Sequence, residues 1–148
     1  MSDNTPGTKN VRVTHSFKFP ANQVFDAWLN PEQAGKWLFA TDTGEMVDVE
    51  IDARVGGAFK FVDRRDGRDV AHIGEYLALD RPQRLVFEFA VPQYNPQKSN
   101  VAVEIEAQGT GCVLSLVHSA VPDEYTERTH LGWTRILDGL DASLSPSH

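Results

Sequence analysis

The chain has 148 residues and a mass of 16.5 kDa, with 41% apolar and 24% charged residues. That is the size and make-up of one globular domain, and it excludes collagen, coiled coil and disorder. A net charge of −7 argues against the basic surface that nonspecific nucleic-acid binding needs.

Residues 1–9 read as a flexible, polar N-terminal tail, and 10–145 as a single domain. The tail has no apolar core of the kind a secretory signal carries. No apolar run reaches the length that crosses a bilayer. The lone Cys112 can form neither an internal disulfide nor a zinc cage. The expectation is a reduced, cytoplasmic protein without membrane insertion.

Val11 to Phe19 alternates apolar and polar residues, with His15 on the apolar side, which predicts a half-buried strand. Pro20 opens a helix carrying Val24, Phe25, Trp28 and Leu29 at helical spacing. Asn30-Pro31 breaks it and starts a second short helix to about Leu38. Thr41 to Gly44 reads as a loop. Strands follow at Met46–Asp52, Ala58–Val62, Val70–Leu79, Leu85–Ala90, Val101–Ala107 and Cys112–His118. Gly56-Gly57, Asp66-Gly67, the Pro82 turn and Gly109 separate them, and Val91 to Asn100 reads as a longer loop. A terminal helix follows Pro122, with Trp133, Ile136, Leu137, Leu140 and Leu144 on one stripe. The order predicts an α+β fold, an antiparallel sheet wrapped around one long helix.

Turn geometry sets which side chains share a face. An Arg65–Arg68 pair at the Asp66-Gly67 hairpin puts Phe61 opposite His72 and Phe59 opposite Gly74. A Leu79–Arg84 pair at the Pro82 turn puts Tyr76 opposite Phe87 and Gly74 opposite Phe89. The Gly109 turn aligns Val101, Val103 and Ile105 with His118, Leu116 and Leu114. The inner face is therefore aromatic and aliphatic, with His15, His72 and His118 as its polar groups, and Gly74 leaves space among large neighbours. Pairing of the first and last strands is expected to place His15 diagonally beside His118.

Each histidine admits two readings. It satisfies a buried backbone or water partner, or it orients a ligand or moves a proton. No inward carboxylate emerges to complete a triad or metal set, and neither HExxH nor CxxC occurs. Trp28 and Trp37 are expected to pack the short helices, Trp133 to anchor the core, and Tyr94 to lie in a surface loop. The Arg64, Arg65 and Arg68 group among Asp63, Asp66 and Asp69 reads as a solvated hairpin tip.

The run Phe17 to Trp28 resembles the opening strand and helix of the SRPBCC (START/Bet v 1-like) superfamily, and specifically its AHSA1-like branch, named for the activator of Hsp90 ATPase. Asn30-Pro31-Glu32 with Trp37, Asp52 to Gly57, Gly74-Glu75-Tyr76, Arg84 to Phe87, Leu114 to His118 and Gly132-Trp133 continue the likeness in order. It spans roughly residues 10–145. The resemblance implies a helix-grip fold with a cavity between sheet and C-terminal helix. It reaches the second, C-terminal domain of the eukaryotic Hsp90 activators and not their Asn- and Trp-rich N-terminal segment.

Superfamily members bind lipids, sterols, polyketides and plant metabolites, and some are cyclases or parts of oxygenases. The leading expectation is a small hydrophobic ligand, with no cofactor, metal or catalytic residue assigned. The cavity lining is expected to comprise His15, Phe17, Phe59, Phe61, His72, Gly74, Tyr76, Phe87, Phe89, Val103, Leu116, His118, Trp133 and Leu137. The alternatives are an enzyme of cyclase or hydrolase type using an inward histidine, and an interaction module with a chaperone partner such as Hsp90. A homodimer is compatible with all three.

Overall fold

The computed structural model describes residues 8–38, 45–92 and 95–144. The readings of residues 1–7, of the Thr41–Gly44 loop and of Tyr94 fall outside them.

Seven antiparallel strands form one sheet in the order β1-β7-β6-β5-β4-β3-β2. β1 spans Thr8–Phe17, two residues into the stretch read as tail, and ends before Phe19. Pro20 precedes α1 (Ala21–Leu29) instead of opening it. α2 (Pro31–Trp37) is capped by Asn30, whose Oδ1 accepts from the backbone N–H of Glu32 at 2.9 Å and of Gln33 at 3.3 Å. That cap satisfies donors the helix start would otherwise strand. β2 (Glu45–Ile51), β3 (Ala58–Arg65), β4 (Arg68–Asp80) and β5 (Arg84–Val91) follow as hairpins. β6 (Asn95–Gln108), β7 (Gly111–Pro122), a 3-10 turn at Asp123–Tyr125 and α3 (Thr126–Leu144) complete the chain.

The hairpin registers place the expected residues on the inner face. Arg65 pairs Arg68, Phe61 pairs His72 and Phe59 pairs Gly74. Asp66 and Gly67 take φ of 51° and 78°, the left-handed turn that matches strand twist. At the Pro82 turn the pairing is Asp80 with Arg84 and Leu79 with Leu85, one residue away from the expected Leu79–Arg84. A bulge between Tyr76 and Ala78 absorbs the extra residue, so Tyr76 still faces Phe87 and Gly74 still faces Phe89.

The Val91–Asn100 reading is corrected, because β6 starts at Asn95 and pairs there with Val91. Pairing between β6 and β7 begins at Val101–His118, so the first residues of β6 have β5 as their one neighbour strand. An unpaired edge is where a strand accepts a proline such as Pro96.

The expected diagonal between His15 and His118 does not form. His15 pairs Leu114, whereas His118 pairs Val11 across the sheet. The β1–β7 pairing ends at Phe17–Cys112, and at Gly111 a Cβ would come within 2.2 Å of the Phe17 carbonyl oxygen. That close approach fixes the register.

The core is continuous from the strands to both helical layers. Val24, Phe25 and Trp28 of α1, Trp37 of α2 and Trp133, Leu137, Leu140 and Leu144 of α3 are all buried in it. α3 lies chiefly against β1 and α2, and α2 against β2, while Trp28 of α1 and Trp133 of α3 each reach a ring of β5, Phe87 and Phe89. Outer positions are charged and paired, with Lys60 Nζ 3.3 Å from Asp48 and 3.2 Å from Glu50. No helix among the described residues is long and apolar enough to cross a membrane.

Candidate functional site

The inner face divides into an aromatic floor and a polar rim. On the floor, Phe59 stands edge-on to Phe61 at 6.0 Å and to Phe87 at 5.5 Å, and lies tilted 5.2 Å from Tyr76. Trp28 reaches down from α1 to 6.2 Å from Phe87 and meets Trp37 edge-on at 4.8 Å. Such tilted and edge-on arrangements are the ones ring quadrupoles favour.

Between these rings lies a void lined by Trp28, Leu38, Phe59, Phe61, Tyr76, Leu85 and Phe87. It leaves about 10 Å³ for the centre of a water molecule, room for one water and no more. Gly74 does not open this space. A Cβ there would lie 2.1 Å from the Glu88 carbonyl oxygen and 2.4 Å from Phe59 Cζ. The missing side chain is what lets the Phe59 ring lie down on the sheet, so the expected gap is filled.

Two polar features mark the floor. The indole N–H groups of Trp28 and Trp37 are buried without a hydrogen-bond partner among the described residues, a costly state for a donor. Burial also pushes the Tyr76 phenol up from its ordinary value.

At the rim, Phe89 carries the row of rings onward. It lies 6.1 Å from Phe87, 5.5 Å from His118 and 6.4 Å from Trp133. Trp133 Nε1 donates to His118 Nδ1 at 3.0 Å, and His118 Nε2 lies 2.8 Å from Ser99 Oγ. An indole nitrogen only donates, so Nδ1 is the bare nitrogen and Nε2 carries the proton. His118 therefore donates to Ser99 and does not draw a proton from it. That is the reverse of the polarity a serine nucleophile needs. Burial lowers the His118 pKa to about 4, keeping the ring neutral.

The other two histidines go elsewhere. His72 is buried, with Nδ1 3.3 Å from the Phe61 carbonyl oxygen, to which it donates. Burial first, and the charge of Arg65 second, lower its pKa to about 4. It serves the structure of the β3–β4 pair. His15 sits at the β1 edge, tilted 4.4 Å from the Phe17 ring. Its Nε2 is 2.8 Å from Asp141 Oδ2 and its Nδ1 3.6 Å from Asp138 Oδ1, both on α3. It ties helix to sheet and is not among the residues lining the void.

These two carboxylates stand on the solvent side of α3, 66% and 37% exposed, and the sequence reading does not foresee their meeting His15. The signal was present in the spacing of Asp138 and Asp141, three apart on one helix face. A correction concerns Asp63, read as part of a solvated tip. It is 0% exposed and accepts from Arg65 Nε at 2.6 Å. The alternation Phe59-Phe61-Asp63 carried that placement. Arg64 does behave as read, with Nε 2.8 Å from Asp69 on the surface.

The remaining expected lining residues divide the same way. Val103, Leu116 and Leu137 are fully buried in the core, and Phe17 is 4% exposed beside His15. An open groove of about 740 Å³ runs elsewhere, past Asp80, Arg84, Glu104 and Glu106 beside the Pro82 turn. No sequence motif marks it, and it is mixed in polarity and open to solvent. Among the described residues no three His, Cys, Asp or Glu side chains gather to hold a metal.

The chain is similar over its length to several solved structures. A Chromobacterium violaceum protein is 28% identical, with 97% of this chain and 100% of that chain covered and a TM-score of 0.85. A Mycobacterium smegmatis protein is 22% identical, with 95% and 93% covered and a TM-score of 0.77. An Arthrobacter aurescens protein is 19% identical, with 99% and 92% covered and a TM-score of 0.80. No curated protein matches. The model of the family described as activator of Hsp90 ATPase homolog 1-like protein matches residues 18–145, and the chain belongs to that family.

Proposed function

We propose that this member of the Hsp90-activator-homologue family is a non-catalytic cytoplasmic carrier or sensor for a small, largely apolar molecule held between sheet and helices. One observation carries the reading. The void is lined by five aromatic rings, and one of them, Trp28, keeps a buried indole N–H without an acceptor among the described residues. An apolar lining with few polar groups is what small-molecule sites have in common, and a stranded donor gains most from a ligand that supplies an oxygen. The closed form has room for one water. Binding thus requires the rings to part, with Phe59, Phe87 and Trp28 as the residues that move. His118, Trp133 and Phe89 form the upper end of the same row.

The test is native mass spectrometry of freshly purified protein, followed by titration with 2-acetylnaphthalene while the indole N–H signals are followed by NMR. An added mass that denaturing extraction releases, or a saturable shift of the Trp28 signal, is the expected result. An apo mass with no Trp28 shift at saturating probe overturns the reading and leaves weight on a protein partner.

A further inference from the structure

We infer that Trp133, His118 and Ser99 form a one-way hydrogen-bond relay whose free end selects ligands bearing an uncharged carbonyl oxygen. The inference rests on the ligand-binding reading above and specifies the chemistry of that site's rim.

The direction of the relay follows from donor and acceptor counting. Trp133 Nε1 can only donate, so His118 Nδ1 must accept at 3.0 Å. The ring proton then sits on Nε2, and Ser99 Oγ accepts it at 2.8 Å. With one lone pair engaged, the Ser99 hydroxyl proton is left to donate, and among the described residues no acceptor takes it. Successive bonds in such a chain polarise one another, which sharpens the terminal donor.

The position suits a ligand. Ser99 pairs with Phe89 across β5 and β6, so it shares the inner face with the ring that continues the aromatic row. Ser99 is half-buried, at the boundary between that row and solvent. On α3 the residues from Thr126 to Gly132 are half-buried or exposed, and Trp133, the relay's first donor, is the first that is buried.

The charge state selects the ligand class. Burial, not a neighbouring ion, is what lowers the His118 pKa. The relay therefore offers a dipole without a counter-charge. A carboxylate brought to it would lose its hydration without gaining a cation, whereas a ketone, aldehyde or ester oxygen would gain a directed donor.

The experiment compares two probes of one shape, 2-acetylnaphthalene and 2-isopropylnaphthalene, by calorimetric titration of the full chain. The wild type is expected to prefer the ketone by about tenfold, the worth of one net hydrogen bond. Ser99→Ala is expected to abolish the preference and leave hydrocarbon affinity unchanged, which also reports that the variant is folded. Ser99→Thr, which keeps the hydroxyl, is expected to retain it. Equal affinity of both probes in the wild type, or a preference that survives Ser99→Ala, overturns the relay while binding stands. If neither probe binds, the ligand-binding reading itself falls and takes the relay with it.

Discussion

Around the void, the inner face is held by ring against ring. Beside α3 it is held by directed bonds, from Trp133 to His118 to Ser99 and from His15 to Asp141. The floor gains its stability from apolar area and close packing, which depend little on pH and strongly on shape. The rim gains less, but its bonds have direction and respond to protonation. A protein that must hold an apolar body and recognise one polar end needs both kinds of surface. Here they are joined at Phe89, the ring that touches each.

The comparison breaks first if the floor proves soft. Phe61 is 0% exposed and stands edge-on to Phe59. Phe61→Ala is expected to lower unfolding stability by about 4 kcal/mol in urea titrations. A loss under about 1 kcal/mol would mean that the floor collapses freely and that its packing is not what holds the sheet.

Protonation comes next, through His118 at the rim and through His72, which lies outside the void and bonds the Phe61 carbonyl. His72 and His118 both have pKa values lowered from 6.5 to about 4. Above the unfolded value both are neutral in either state, and their contribution is fully present. As pH falls from 6.5 toward 4 the unfolded chain takes up protons that the folded chain refuses, so stability declines. The expected loss at pH 5 relative to neutrality is about 2 kcal/mol for each histidine. Urea midpoints measured from pH 7 downward are expected to show it, and His118→Asn is expected to remove about half of the slope. A stability flat to pH 5 would mean that water reaches both rings.

The smallest expected effect is at the helix edge. His15 faces Asp141, 37% exposed, and Asp138, 66% exposed. Partly solvated pairs contribute little, so His15→Ala is expected to cost about 0.5 kcal/mol. A loss above about 2 kcal/mol would make that contact a main attachment of α3 and would enlarge the polar region of the comparison.

Much of the floor was readable from turns. Asp66-Gly67 set the β3–β4 register, and Gly109 that of β6–β7, so Phe59, Phe61, His72 and Leu116 fell on the right face. The Pro82 turn was read one residue out, yet Tyr76 and Phe87 still met, because a bulge after Tyr76 restored the parity. The rim was less readable. Alternation places His118 inward, but its partners Ser99 and Trp133 come from a stretch that reads as loop and from a different element. Asp63 was missed because nearby charges masked an alternation that placed it inside.

The sequence by itself determined the element order, the turn positions and the face each strand buries, because alternation is local and has a period of two. The tertiary structure alone decided how much space the inner face keeps. That volume is a small difference between large packed volumes. It turned on the Phe59 ring lying over Gly74, a contact between two strands that neither strand specifies. The tautomer of His118 was decided in the same way, by an indole brought from α3 to its bare nitrogen.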